Sequence, residues 1–205
     1  MDYTALATED TLQALATSLR ARNFEPVIVE TKEQALEKIK ELVPKGASVM
    51  NGSSRTLEQV GFVDYLKAGE HGWNNLHENI LAEKDTDKQN VLRRQALLAD
   101  YYLGSVHALA QTGEMLIASN TGSQLPHIVY SSPNVIFVVG TQKIVPTLTD
   151  AADRLRTHVV PLEDVNMQQK YGIHTAINKE FVFHAENPMN GRKITVLLVK
   201  EALGF

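Results

Sequence analysis

The stretch "NVIFVVG", Asn134 to Gly140, constrains this chain more than any other. It is too apolar for a strand with one wet face, so it reads as a central strand buried on both sides. Such a strand needs a sheet with a covering layer on each face. The sequence before it supplies both kinds of element. Leu6, Leu12, Leu15 and Leu19 recur at helical spacing, and "ARNF" ends that run before Pro26. "PVIVE" is a short β-branched strand. "TKEQALEKIKELV" follows as an amphipathic helix with Thr31 as N-cap. Ala35, Ile39 and Leu42 share its inner face, and Lys32, Lys38 and Lys40 line the outer one. Pro44-Lys45-Gly46 turns the chain into a second strand ending at Val49-Met50, and a helix begins near Thr56. Strand, helix, strand, helix is the signature of a parallel sheet covered by helices.

The middle is less regular. "KAGEHGWNNLHENILAEKDTDKQ", with the only tryptophan, Trp73, reads as a polar surface excursion with some helical turns. "NVLRRQALLADYYL" restores helical periodicity through Val91, Leu92, Ala96, Leu97 and Leu98. "SVHALAQTGEMLIAS" reads as a β-hairpin turning at Gln111–Glu114, and "NTGSQLP" as a tight polar turn before a short helix near Leu125. "TLTDAADRLRTHV" is a helix capped by Thr147 or Thr149. "KEFVFHA", "ENPMNGR" and "KITVLLV" read as a closing hairpin. The expectation is one α/β domain over residues 1–205 with a mixed sheet, residues 1–30 forming its N-terminal helix and first strand.

Composition removes several function classes. The 205 residues suffice for one sizeable core, and 43% hydrophobic with 21% charged residues is ordinary for a globular chain. A net charge of -4 gives no general attraction to nucleic acid or to an anionic membrane. No apolar run reaches the ~18 residues of a spanning helix, and "MDYTALATED" lacks the features of a signal peptide. Cysteine is absent, which excludes disulfides, thiolate catalysis and cysteine-ligated clusters within the chain and fits a cytoplasmic setting. No dinucleotide fingerprint or P-loop occurs, and no HxxxH or HExxH spacing among His71, His77, His107, His127, His158, His174 and His184, so neither a cofactor nor a metal site is expected. His107 reads as a structural strand residue.

The turn Asn51-Gly52-Ser53-Ser54, between the second strand and the Thr56 helix, has two readings. A serine caps the helix, or backbone N–H groups and hydroxyls face an anion. Three further pieces join it: the acidic hairpin "QTGE", the turn "NTGSQ" and the strand end "VVGTQKIV". Together with "SVMNGSSRTLEQVGFVDYLK" and "INKEFVFHAENPMNGRKITVLLVKEALGF", these resemble the lactate-utilisation (LUD) domain family from about Thr31 to the C-terminus. The resemblance implies a three-layer α/β/α sandwich with a mostly parallel, mixed sheet, similar to the ribose-phosphate isomerase and CoA-transferase-like fold. It also implies a role in the use of lactate or a related small organic acid.

In the sugar-phosphate isomerases a glycine–serine turn at the matching strand end holds a phosphate. By that likeness Asn51, Gly52, Ser53, Ser54 and Thr56 form a ligand-binding turn. Its single glycine favours a carboxylate over a phosphate. Thr112, Gly113, Thr121, Gly122 and Ser123 are further candidate ligand-binding residues. Glu114 is a candidate base or nucleophile, or else a surface turn residue; Lys143 is a candidate catalytic cation, or else solvated. Asn187 and Arg192 either border this site or belong to the hairpin loop. The turns Asn51–Thr56, Gln111–Glu114 and Asn120–Gln124 are expected to converge on one cleft. Two functions stay open: a small-anion-binding protein of organic-acid metabolism, or a non-catalytic subunit docking on an iron–sulfur or flavin redox partner. Self-association is compatible with either.

Overall fold

The computed structural model describes residues 1–205. The chain begins α1 (Glu9–Ala21), β1 (Glu25–Val29), α2 (Lys32–Leu42), β2 (Ser48–Asn51), α3 (Arg55–Gln59) and α4 (Phe62–Ala68). It continues through β3 (Asn74–Asn75), α5 (Leu76–Ala82), α6 (Thr86–Gln95), β4 (Tyr101–Gly104), β5 (Ala108–Ala110) and β6 (Met115–Ser119). After a π-turn at His127–Ser131 come β7 (Asn134–Gly140), β8 (Ile144–Val145) and α7 (Leu148–Arg154). A second π-turn at Leu155–Val159 leads into α8 (Val160–Tyr171), then β9 (Lys179–Phe183) and β10 (Lys193–Val199). No helix is long and apolar enough to cross a membrane.

Six strands form a parallel sheet in the order β1-β10-β7-β4-β2-β3. Strand β7 lies inside it, with Phe137 level with Val196 of β10 and Gly104 of β4. The period of two sorts its side chains onto two faces. Val135, Phe137 and Val139 pack on one side with Leu12, Leu15 and Leu19 of α1; Ile136 and Val138 pack on the other with Ala35, Ile39, Leu57 and Phe62. The antiparallel pairing expected of a mixed sheet lies in a separate four-stranded sheet, β8-β5-β6-β9. Met115, Ile117 and Phe183 of that sheet join the α1 side of the core, whereas Ala108, Leu116 and Val145 turn outward against α7 and the turn after it. The architecture is therefore α/β, with a parallel sheet flanked by helices and a small sheet inserted on one side.

Local signals place most helix starts. Thr31 Oγ1 accepts from the Gln34 N–H, and Thr147 and Asp150 cap α7 reciprocally. Three expectations are corrected. "KEFVFHA" and "KITVLLV" are not a hairpin: β9 is an edge of the small sheet and β10 is inside the large one. The reason is burial, since β10 is apolar on both faces and only a place between β1 and β7 covers both. "DYYL" is not helical but contributes β4, and α6 ends at Gln95 without burying a residue. Trp73 is not on a surface excursion. It is buried beside Phe62 and Tyr65, and its indole N–H donates to the Val43 carbonyl at 3.1 Å.

Arg192 is structural and does not line the cleft at the strand ends. Its guanidinium donates to the carbonyls of His127, Ile128, Val129 and Ser132 at 2.9–3.0 Å, so it ties down the π-turn. Nη1 also pairs with Glu186 at 2.8 Å, with side chains only 4% and 5% exposed. Removing one partner of a buried pair strands the other charge and frees four carbonyls. Arg192→Met is expected to lower unfolding free energy by about 3–5 kcal/mol, measured as a reduced urea midpoint. A change within a few tenths of a kcal/mol would contradict this account.

Candidate functional site

All parallel strands share one direction, so their carboxyl ends meet at one edge, where open α/β sheets take ligands. A cleft of about 230 Å³ lies there. It is lined by Gly52–Thr56 after β2, Gly104–His107 from the end of β4, Ser119, Asn120 and Gln124 from the end of β6, and Lys143 after β7. Residues of the second π-turn, of α8 and of the segment before β9 form the opposite wall, and Gly204 and Phe205 close one side.

Lys143 is 4% exposed and no acidic side chain pairs with it. Its Nζ donates to Thr56 Oγ1 at 3.0 Å, Ser105 Oγ at 3.1 Å and the Val106 carbonyl at 3.2 Å. The two hydroxyls spend their own protons elsewhere, Ser105 on the Val138 carbonyl and Thr56 on the Leu203 carbonyl. Three acceptors thus face the amine, which suits a protonated ammonium. Burial, and secondarily the charge of Arg154, push the amine down to about 7. Arg154 is fully buried as well. It donates to the His107 carbonyl and faces the Tyr3 ring, while Nε and Nη2 have no partner. Two buried cations without a carboxylate leave this end of the sheet short of negative charge.

His107 joins the cleft from the segment between β4 and β5. Its Nδ1 accepts the Ala118 N–H at 3.1 Å, which places the ring proton on Nε2. Burial first, then Lys143 and Arg154, lower its pKa to about 3. The ring is therefore a neutral N–H donor across the physiological range and not a base. The strand-like alternation around His107 hid this, because a segment read as hairpin carries no mark of which cations fold against it.

The expected site residues divide. Gly52, Ser53, Ser54, Thr56 and Lys143 line the cleft. Ser54 also caps α3, its Oγ accepting the Leu57 N–H at 3.3 Å. Asn51 is buried behind the turn and donates to the Gly52 carbonyl. Thr121, Gly122 and Ser123 bond within their own turn, and Ser119, Asn120 and Gln124 reach the cleft in their place. Convergence of all three turns fails at Thr112, Gly113 and Glu114. These sit at the opposite end of β6, roughly 17 Å of strand away from Ser119 at ~3.4 Å per residue.

Glu114 there pairs with Arg22 at 2.5 Å and accepts from the Thr112 hydroxyl. Burial alone would raise its pKa, but the Thr112 hydrogen bond, its own backbone N–H and Arg22 outweigh burial and hold it below the ordinary carboxylate range. A hairpin's turn and its strand ends lie a strand apart, so the corrected placement follows from strand length alone.

Gly52 has a packing role that the sequence does not show. A Cβ there would lie 2.6 Å from the phenol oxygen of Tyr102, a buried ring stacked on His127. Gly204, at φ +71°, lies over Lys143, and a Cβ there would come within 2.8 Å of Nζ. Substitution of either glycine disturbs the packing as well as the cleft.

Residues 12–198 match the family model of the LUD domain. The match takes in most of α1, from Leu12 onward, ahead of the segment that carried the sequence resemblance. A similar solved structure is that of a DUF162 family protein from Deinococcus radiodurans, 12% identical, covering 95% of this chain and 99% of its own, with a TM-score of 0.58. It shows the same fold. No curated protein matches the sequence.

The neutral state of His107 is directly measurable. Nitrogen NMR of the imidazole should show the Nε2–H tautomer unchanged from about pH 5 to 8. A ring that titrates near the ordinary value of ~6.5 would remove it as a fixed donor.

Proposed function

This chain belongs to the LUD domain family, and from that premise we propose that it binds a small organic-acid anion, of the kind used in lactate metabolism, at the carboxyl ends of its parallel strands. The observation that carries this reading is Lys143, a buried amine lining the cleft with no carboxylate beside it. A ligand carboxylate would supply the missing negative charge in a site of reduced dielectric, where the attraction is stronger than in water. Ser53, exposed on the cleft wall, and Asn120 add polar groups for its oxygens. His107 Nε2–H is a donor for a further oxygen on the ligand. Thr56 and Ser105 hold the amine in place, so the site is organised before the ligand arrives.

The reading predicts binding and its pH dependence together. Lactate, pyruvate and acetate should each raise the melting temperature in a thermal-shift titration, because a ligand of the native state stabilises it. Lys143→Met should shrink the shift of each acid strongly while the protein stays folded. An anion favours the ammonium and raises its pKa. Affinity should therefore be full below about pH 7, Lys143 being lowered to about 7 in the free protein, and weaken up to tenfold per pH unit above it. Calorimetry across that range checks the sign. Equal shifts in Lys143→Met and the wild type, or affinity that rises with pH, would overturn the reading.

A further inference from the structure

The wall facing Lys143 is of a different kind. Leu155, Val159, Glu163 and Met167 recur every four residues and form one stripe along the helical run from the second π-turn into α8, and all four line the cleft. Ile177 and Phe205 complete this wall. Leu155 and Val159 are anchored in the outer core, while Met167 and Ile177 stay half-buried with apolar surface toward the cleft. The cleft has a volume of about 230 Å³. That is more than a three-carbon acid fills.

From this arrangement we infer that the ligand is an amphiphilic monocarboxylate, its acid group at Lys143 and an unbranched apolar chain of several carbons along Leu155, Val159, Met167 and Ile177. The inference rests on the function proposed above and narrows it from any small acid to one with a tail. Charge sets the direction of entry. Lys143 and Arg154 sit behind the strand ends, and Glu163 is the acidic side chain on the apolar wall. Glu163 accepts from Asn166 at 3.0 Å, and burial raises its pKa. A carboxylate head is repelled from that wall and drawn to the lysine. The tail covers the half-buried Met167 and Ile177, which otherwise face water, over a floor formed by the buried Leu155 and Val159, and the gain is in proportion to the area covered.

The test is a calorimetric series of straight-chain acids: acetate, butyrate, hexanoate and octanoate. The dissociation constant should fall about fourfold per added methylene until the wall is covered, and then level off. Met167→Gln and Ile177→Thr, both half-buried positions that tolerate polar atoms, should flatten this slope and change the acetate value least. Lys143→Met should weaken every acid by a similar factor and leave the slope intact. Octylamine, with the same tail and the opposite charge, should bind far more weakly than octanoate. Acids that bind with no dependence on length would overturn the tail and leave the proposed function standing. A slope unchanged in both wall variants, or octylamine binding as well as octanoate, would also overturn it. If no acid binds, the proposed function and the tail fall together.

Discussion

Burial of β7 on both faces is the constraint on which the rest of the structure depends. Its five apolar residues from Val135 to Val139 divide between two cores, and neither face can meet water. It must therefore have a strand on each side and a layer above and below. The parallel pairing with β10 and β4 that satisfies this also sends the carboxyl ends of β2, β4, β7 and β10 to one edge. The cleft is a by-product of that shared direction. Loops that leave those ends carry backbone donors and side chains that no ladder uses, and Lys143 follows β7 directly into a short helical turn.

The second organising fact is uncompensated positive charge. Moving a cation from water into a protein interior is costly unless a carboxylate or several acceptors receive it. Arg192 meets that demand fully, with Glu186 and four carbonyls. Lys143 meets it only with neutral oxygens, and Arg154 with one carbonyl and an aromatic face. These two cations hold consecutive carbonyls, those of Val106 and His107, and so they fix the segment that carries the His107 ring into the cleft. Their field also helps keep that ring neutral. One electrostatic arrangement thus determines the site's charge and the form of its donor.

Much of this was legible in the residues, and the misses share a cause. Thr31 and Thr147 cap their helices because a cap needs only a side chain and an N–H three residues on. The hairpin of β5 and β6 was legible for a similar local reason, its turn residues lying between its partners. Strand β4 was hidden because four residues at the end of a helical pattern carry too little alternation to be heard. The pairing of β10 was misjudged because nearness in sequence suggested β9, whereas two-sided burial demanded β1 and β7. Glu114 has the chemistry of a catalytic residue, yet it belongs to an ion pair with Arg22 at the wrong end of its strand.

By itself the sequence determined the fold class, the capped starts of α2 and α7, the two-sided strand and the presence of a polar turn after β2, since each depends on period, caps or composition within a few neighbours. Only the tertiary structure decided which polar residues share a cleft. Lys143 lies 87 positions from Thr56 and 38 from Ser105, and it meets both because parallel strands with long crossovers bring their ends together. The stripe from Leu155 to Met167 runs from the helix read after Thr147 into a stretch that carried no helical reading, so neither the stripe nor its facing partner was legible. Contacts of that separation are set by how sheets and helices stack, and no local pattern encodes them.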